Sequence, residues 1–446
     1  MDKSRLKEQV EIIRQAFGYI NRYKNEIFVI KIDDTLVSNP FFPILVKDLV
    51  LLHKMGIRIV LVPGARNRIN EILQIYHKEC RSVNGIRISE PDAIPFIKMA
   101  AFDVSNNLMT SLAEHDTNAV IGNWVRARGR GVLDGIDYGS AGFVEKIQLD
   151  SLLAALEDGF IPIIPCIGWT STGKPYNISS TELAVATATA LKAEKLFFLG
   201  SGNTISIDDF VIPESASLSP EGRLAALSVE SIDEFLELNR DSGSPTLPVD
   251  KLTDLLLQAR TACLGGVTRA HILDADIDGV IPAEIFSDLG SGTMIYVNNY
   301  GTFRAMTRED IPAVLSLMNP FVEKGILLPR TSEELEQKAH EFVVFEIDGG
   351  IRACAALHSY PENVGEIAGL AVDEAYAHMG IGPRLMDLLL QRGKSAGFSS
   401  VFVLTTQTGD WFEKFGFKSA ETGQMPRERQ EKWDPKRRSR VFIKTF

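Results

Sequence analysis

The sequence holds little cysteine: among its 446 residues only Cys80, Cys166, Cys263 and Cys354 occur, and none forms a C-x-x-C pair. That scarcity argues against a disulfide framework and a thiolate zinc site, and it fits a reducing cytoplasm. Long apolar runs are also missing. None approaches the roughly 20 residues that cross a bilayer, and the opening Met1-Asp2-Lys3-Ser4-Arg5 has charge but not the apolar stretch of a secretory leader. A basic excess is lacking too. Lys and Arg number 47 against 58 Asp and Glu, a net charge of −11. This argues against nucleic acid as a partner, and it means that an anionic substrate must meet a local basic pocket. What remains is a composition 45% apolar and 24% charged, that of a soluble globular protein with core enough for two or three domains.

Residues Leu6, Val10, Ile13, Phe17 and Ile20 recur at three- and four-residue steps. They predict an amphipathic helix within residues 1–25 that packs either on its own domain or on a neighbouring subunit. From Ile27 onward, apolar runs such as Ile27–Ile32, Ile57–Val62, Ile161–Pro165 and Lys195–Leu199 alternate with helical stretches around Phe42–His53 and Glu182–Leu191. Alternation of this kind predicts an α/β domain whose sheet is covered on both faces, over residues 26–296. Asp241–Pro245 reads as a surface loop, and the polar stretch 297–302 reads as the link to a second domain, residues 303–446.

In that second domain a short strand ending near Val372 leads through Ala377-His378-Met379-Gly380-Ile381-Gly382 into a helix expected to open at Pro383. A glycine turn entering a helix aligns backbone N–H groups into a nest for a pyrophosphate. A strand, Val401–Thr406, and the segment Trp411-Phe412-Glu413-Lys414-Phe415-Gly416-Phe417 follow. Together these segments resemble the GNAT family of acetyl-CoA-dependent N-acyltransferases. The resemblance implies that His378, Met379, Gly380, Ile381 and Gly382 hold the pyrophosphate, that the strand residues Leu370, Ala371 and Val372 meet the thioester end, and that Trp411 and Phe412 lie by the pantetheine arm. Ala377 stands where that family usually has Arg or Gln.

The first domain resembles the amino acid kinase family, which implies a three-layer αβα sandwich. Its phosphoryl-transfer elements have changed. Asp33-Asp34 replace a glycine pair after Lys31, Pro63-Gly64-Ala65-Arg66 replaces a His-Gly-Gly-Gly loop, and Thr181 replaces the catalytic Asp. Carboxylates beside a phosphate repel it, so the fold is expected to be kept and the kinase chemistry lost. The segment from His271 through Glu284-Ile285-Phe286-Ser287 to Gly290 looks like the L-arginine site of arginine-inhibited kinases of that family. The resemblance implies Tyr19, His271, Glu284, Ser287 and Gly290 as effector contacts, with Glu284 facing the guanidinium. The bland alternative for Glu284 is a solvated carboxylate on a helix face.

A kinase-like domain joined to a GNAT domain resembles the layout of the bacterial N-acetylglutamate synthase family. That resemblance implies transfer of acetyl from acetyl-CoA to L-glutamate, arginine as effector, a homohexamer, and no metal. It implies Glu366 as the base that frees the amine, Thr405 as a proton donor or water-positioning hydroxyl, and Leu328, Arg330, Gly369, Arg437 and Ser439 around the glutamate. Gly369 stands where relatives carry Cys. Alternation through Arg437, Ser439, Val441 and Ile443 predicts a strand with Arg437 and Ser439 on one face, the alternative being a solvated basic tail. A bifunctional synthase/kinase and a non-catalytic arginine sensor are the competing readings.

Overall fold

The computed structural model describes residues 17–446 apart from 18, 80, 84, 214, 241, 243–246, 287–289, 298–300, 348, 349, 375 and 377–379; the side chains of Ser38 and Lys436 are likewise outside it. Leu6, Val10 and Ile13 of the N-terminal stripe, most of the 241–245 loop and part of the 297–302 stretch therefore lie outside the described residues. The chain forms two compact units, Met1–Asn298 and Asn299–Phe446. Among the described residues no helix is long and apolar enough to cross a membrane, and no group of three or more His, Cys, Asp or Glu could hold a metal ion.

The first unit is built on a nine-stranded sheet. At its centre Ile27–Ile32 runs parallel to both Arg58–Pro63 and Lys195–Gly200, and the latter is parallel to Arg269–Asp274. Every residue of Ile27–Ile32 is buried, because alternate side chains enter two different cores. Phe28, Ile30 and Ile32 pack with Leu45 and Leu49 of the helix Phe42–Lys54. Val29 packs with Leu183 and Ala184 of Ser180–Leu191 and with Leu252 and Leu256 of Val249–Leu264. Period-2 alternation between two apolar layers is what an αβα sandwich requires.

In the second unit a seven-stranded sheet has the order Thr302–Ala305, Phe342–Ile347, Gly350–Tyr360, Val364–Val372, Ser400–Thr405, Arg440–Thr445, Lys418–Ala420. Neighbours are antiparallel except Val364–Val372 with Ser400–Thr405, which run parallel. A parallel pair needs a crossover, supplied by the helix Ile381–Ser395, whose Leu385, Met386 and Leu389 cover Val343, Ile367 and Val403. The opposite face carries Phe342, Cys354 and Ala356 under Val314 and Met318 of Ile311–Glu323.

That last helix is anchored by Asp310. Its carboxylate accepts Arg304 Nη1 at 2.6 Å, Arg304 Nη2 at 2.8 Å and the Thr307 N–H at 2.7 Å. Arg304 first, then the Thr307 donors, hold the Asp310 carboxyl down at about 2. A depressed folded-state pKa gives stability that is present above the unfolded value and lost as pH falls toward the folded one. Asp310→Asn should therefore lower unfolding stability near neutral pH by roughly 1–3 kcal/mol. Denaturation curves taken at successively lower pH should converge with wild type between about 4 and 2.

Candidate active and effector sites

The parallel pairing of Val364–Val372 with Ser400–Thr405 runs only from Val364↔Ser400 to Ile367↔Val403. Beyond it the two strands continue unpaired with each other, opening a wedge edged by the backbone from Ala368 to Val372. On the other edge of Val364–Val372, Ala356 pairs with Ala368 but Cys354 pairs with Ala371, so Gly369 and Leu370 together oppose Ala355. This is a β-bulge. Gly369 takes φ +62 there, a left-handed conformation that a side chain would strain. Cys354 Sγ reaches the Gly369 carbonyl at 3.6 Å.

The helix Ile381–Ser395 closes the wedge from the side. Its N-cap is Gly380 at φ +63, so it begins two residues before the expected start and Pro383 is its third residue. Pro383 still occupies one of the positions whose N–H would lack an intrahelical partner, which leaves the Ile381 and Gly382 amides facing outward with the positive end of the helix dipole. A Cβ at Gly380 would meet nothing within 4 Å, whereas one at Gly382 would lie 3.6 Å from Trp411 and 3.8 Å from Val372. Val372, Gly382 and Trp411 thus converge. Ile381 and Phe412 instead point into the apolar core, so of Ile381 only the main chain can face a ligand. His378 and Met379, with Ala377, lie outside the described residues. Orphan amides, a helix N-terminus and an unpaired strand edge fit the pyrophosphate and amide-bearing arm of an acyl-CoA.

Glu366 sits just before the strands part, 4% exposed. Its Oε2 accepts the Tyr360 hydroxyl at 2.8 Å, and Arg429 Nε approaches both its oxygens at 2.9 and 3.0 Å. Burial, then the Glu366 charge, pushes the Tyr360 phenol well above its usual range. Arg429, on the short helix Arg427–Gln430, had no signal in the sequence beyond the need of a buried carboxylate for a counter-charge. Thr405 is buried and organises the turn that follows its strand. Its Oγ1 accepts the Gln407 and Thr408 amides at 3.3 and 3.0 Å and shares a hydrogen with Thr408 Oγ1 at 2.9 Å.

Arg330 lies against the bulge, its Nη2 3.7 Å from where a Gly369 Cβ would stand. The guanidinium is 5.3 Å from the Phe342 ring centre, and Nη2 is 3.4 Å from His358 Nε2. Arg437 donates from Nη2 to the Gly325 and Ile326 carbonyls, each at 3.1 Å, and so ties the C-terminal segment to the loop that carries Leu328 and Arg330. Leu328 is itself half exposed. The expected strand does not reach Arg437. Pro435–Arg437 is a 3-10 turn, Arg438 has φ +51, and the strand begins at Arg440. Arg437 and Ser439 therefore share no strand face, because the alternation in sequence came from a turn rather than a pleat. Nor is the segment a solvated tail, since Val441 and Phe442 are buried.

In the first unit Glu284, on the helix Val280–Phe286, is not the solvated carboxylate of the bland alternative. Its Oε2 accepts the Ser291 and Gly292 amides at 2.6 and 2.9 Å, and His271 Nδ1 lies 2.5 Å from Oε1. Burial holds the His271 imidazole neutral down to about 4. Burial pushes the Glu284 carboxyl up, but His271 and the two amides draw it down further, so the net direction is downward. A neutral imidazole therefore donates from Nδ1 to Glu284, while Nε2 accepts from Lys195 Nζ at 3.1 Å. Lys195 Nζ also lies 5.2 Å from the Tyr23 ring centre, and Tyr19 packs against Tyr23 and Phe286. Gly290, at φ +68, leaves only 2.5 Å between its missing Cβ and Glu284 Oε2. Tyr19, His271, Glu284 and Gly290 are thus brought into one neighbourhood together with Lys195, which sequence reasoning missed. Ser287 lies outside the described residues.

The altered kinase elements meet as well. Lys31 pairs with Asp33 at 3.1 Å. Asp34 Oδ2 accepts the Asn67 amide at 2.5 Å and the Arg68 amide at 3.4 Å, at the start of the helix Arg66–Ile75. A side-chain carboxylate occupies the helix N-terminus where a phosphate would otherwise be drawn. At the bulge, Gly369→Ala should cost about 1–2 kcal/mol through the left-handed backbone, read as a lower denaturation midpoint.

Residues 26–274 match the Amino acid kinase family, and residues 311–417 match the Acetyltransferase (GNAT) family. An amino-acid acetyltransferase of Mannheimia succiniciproducens is 32% identical over 98% of both chains. The structure of N-acetylglutamate synthase from Neisseria gonorrhoeae complexed with coenzyme A and L-arginine superposes with a TM-score of 0.80 at 29% identity, covering 98% of this chain and 99% of that one. The same enzyme complexed with coenzyme A and N-acetyl-glutamate gives 0.60 at 30% identity over the same shares.

Proposed function

The chain belongs to the amino-acid acetyltransferase family, an acyltransferase with a GNAT unit that uses acetyl-CoA, and from that premise we propose that it makes N-acetyl-L-glutamate from L-glutamate under control by L-arginine. One observation carries the glutamate reading. Arg330 borders the Gly369 bulge, and Arg437 is tied to the loop leading to Arg330, which makes these two guanidinium groups the partners for the two carboxylates of a dicarboxylic amine. Paired carboxylates are what two such groups recognise.

The parted strand edge and the Gly380–Gly382 turn would hold acetyl-CoA, which supplies the thioester. Successive amides of a strand alternate between its edges, and since the Asp373 N–H turns to the Arg352 carbonyl at 2.8 Å, the Val372 amide lies on the unpaired edge of the Leu370–Val372 stretch, positioned to stabilise an oxyanion. Glu366 takes a proton from the glutamate ammonium, directly or through one water, so that the nitrogen lone pair can attack. Thr405, with Thr408, holds the turn beside the departing thiolate, either as donor or by fixing a water.

Arginine is assigned to the Tyr19, His271, Glu284 and Gly290 neighbourhood, with Ser287 a further contact by resemblance. Three of the lone pairs on the Glu284 carboxylate already have donors, so a guanidinium there adds to a preformed network or displaces His271 from it. Homo-oligomerisation, as a hexamer, and a cytoplasmic location complete the reading. The Asp33 and Asp34 contacts disfavour the bifunctional synthase/kinase.

Thiol release from acetyl-CoA, measured across a panel of amino acids with and without L-arginine, tests the assignment. Glutamate should be the preferred acceptor, and no release with it would refute the reading. Glu366→Gln should lower turnover by about 10²-fold or more while acetyl-CoA binding, followed by calorimetry, stays near wild type. Glu284→Ala should leave synthesis without arginine close to wild type and remove the arginine response; unchanged sensitivity would refute that site.

A further inference from the structure

A proton taken by Glu366 arrives at a carboxylate whose hydrogen-bonding places are largely filled. Both its oxygens already accept donors, from Tyr360 and Arg429, so an added proton would have to displace one of them. The residue directly across the ladder is His358. Side chains opposed in an antiparallel pair lie on one face with Cβ atoms about 4.5–5.5 Å apart. His358 is buried as well. Its Nδ1 is hydrogen-bonded to Glu341 Oε2, which fixes the tautomer with the proton on Nδ1 and leaves Nε2 as the acceptor. Nε2 faces Arg330, which borders the acceptor's place. A carboxylate orienting an imidazole whose second nitrogen faces the substrate side is the arrangement of a general base and its positioning group.

We propose that His358, oriented by Glu341, is the group on which the substrate's proton comes to rest during acetyl transfer, Glu366 serving as the conduit. The inference rests on the acetyl-transfer reading above. The ammonium N–H bond breaks, its electron pair stays on nitrogen for attack on the thioester carbon, and the proton passes through Glu366 to His358 Nε2. Glu366 returns to the carboxylate that holds Arg429 and Tyr360. The imidazolium pairs with Glu341 and releases its proton to water, the one proton that the overall reaction sets free. A carboxylate bound to Arg330 occupies that guanidinium's donors and frees Nε2 at the moment it is needed.

The charged and titratable groups around the imidazole are Glu341 at the entrance to Phe342–Ile347, Arg330 in the loop before Ser332–Gln337, Lys338 at the end of that helix, Glu366 on the opposed strand and Tyr360 on its own. Burial lowers the His358 pKa, and Glu341 partly restores it.

The test is the pH dependence of kcat/KM for thiol release by the full chain, using whichever amino acid in the acceptor panel reacts fastest. A failure of glutamate as acceptor then refutes the proposed substrate and leaves this test intact. His358→Gln should lower kcat by about 10²-fold or more, keep the KM for acetyl-CoA within about two-fold, and lose the wild-type acid limb. Glu341→Gln, which keeps a hydrogen-bond acceptor for Nδ1 but removes the charge, should retain most of the activity at high pH and move the acid limb to lower pH. A His358→Gln enzyme that keeps the wild-type limb, or a Glu341→Gln limb that does not move, would overturn the proposal.

Discussion

Two strands that run the same way but part after a few residues leave backbone donors with nothing to pair across the gap, and buried backbone donors must be paired. In the second unit that situation arises where the pairing of Val364–Val372 with Ser400–Thr405 stops at Ile367 and Val403. The rest of the site follows from it. The crossover that a parallel pair demands delivers a helix N-terminus to the mouth of the gap, and Gly380 and Gly382 keep that mouth open. The bulge at Gly369 turns the far edge of the same strand toward Arg330. Glu366 precedes the parting, where its side chain stands beside the gap while its backbone still belongs to the sheet.

The first unit treats its anion-attracting helix end in the opposite way. The start of Arg66–Ile75 is satisfied by Asp34, a group that belongs to the chain. From sequence, Asp33 and Asp34 read as charges that repel a phosphate. In the structure Asp34 does something more specific, since it takes the hydrogen bonds a phosphate would have taken. Charge is conserved elsewhere in the unit too, along the row from Lys195 through neutral His271 to Glu284. One helix terminus is closed by a covalent anion and the other is left for a diffusible one.

Local patterns in the chain carried the architecture well. Apart from Lys31 and Lys195, the strands Ile27–Ile32 and Lys195–Gly200 are apolar because they are covered on both faces, and the glycine turn before Ile381 marks itself by composition. Patterns failed where the decisive contact was made by residues remote in sequence. Glu366 and Arg429 are 63 positions apart, Arg330 and His358 are 28 apart, and Lys195 meets His271 across 76. Nothing in the neighbourhood of any one of them announces its partner. Alternation misled at Arg437 and Ser439, where a 3-10 turn with a left-handed Arg438 mimics the period of a strand. The helix start was misread at Pro383 because proline is accepted anywhere among the first few helical positions, not at the first alone.

Cys166, Cys263 and Cys354 are all buried, and desolvation pushes each thiol up to about 12. An acetyl-CoA-consuming enzyme discharges a free thiol at every turnover, and under oxidising stress such a thiol readily becomes a disulfide. Exchange with that disulfide requires an accessible thiolate on the protein. These three cysteines offer neither ionisation nor access, so at those positions the protein is inert to coenzyme A thiolation by its own spent product.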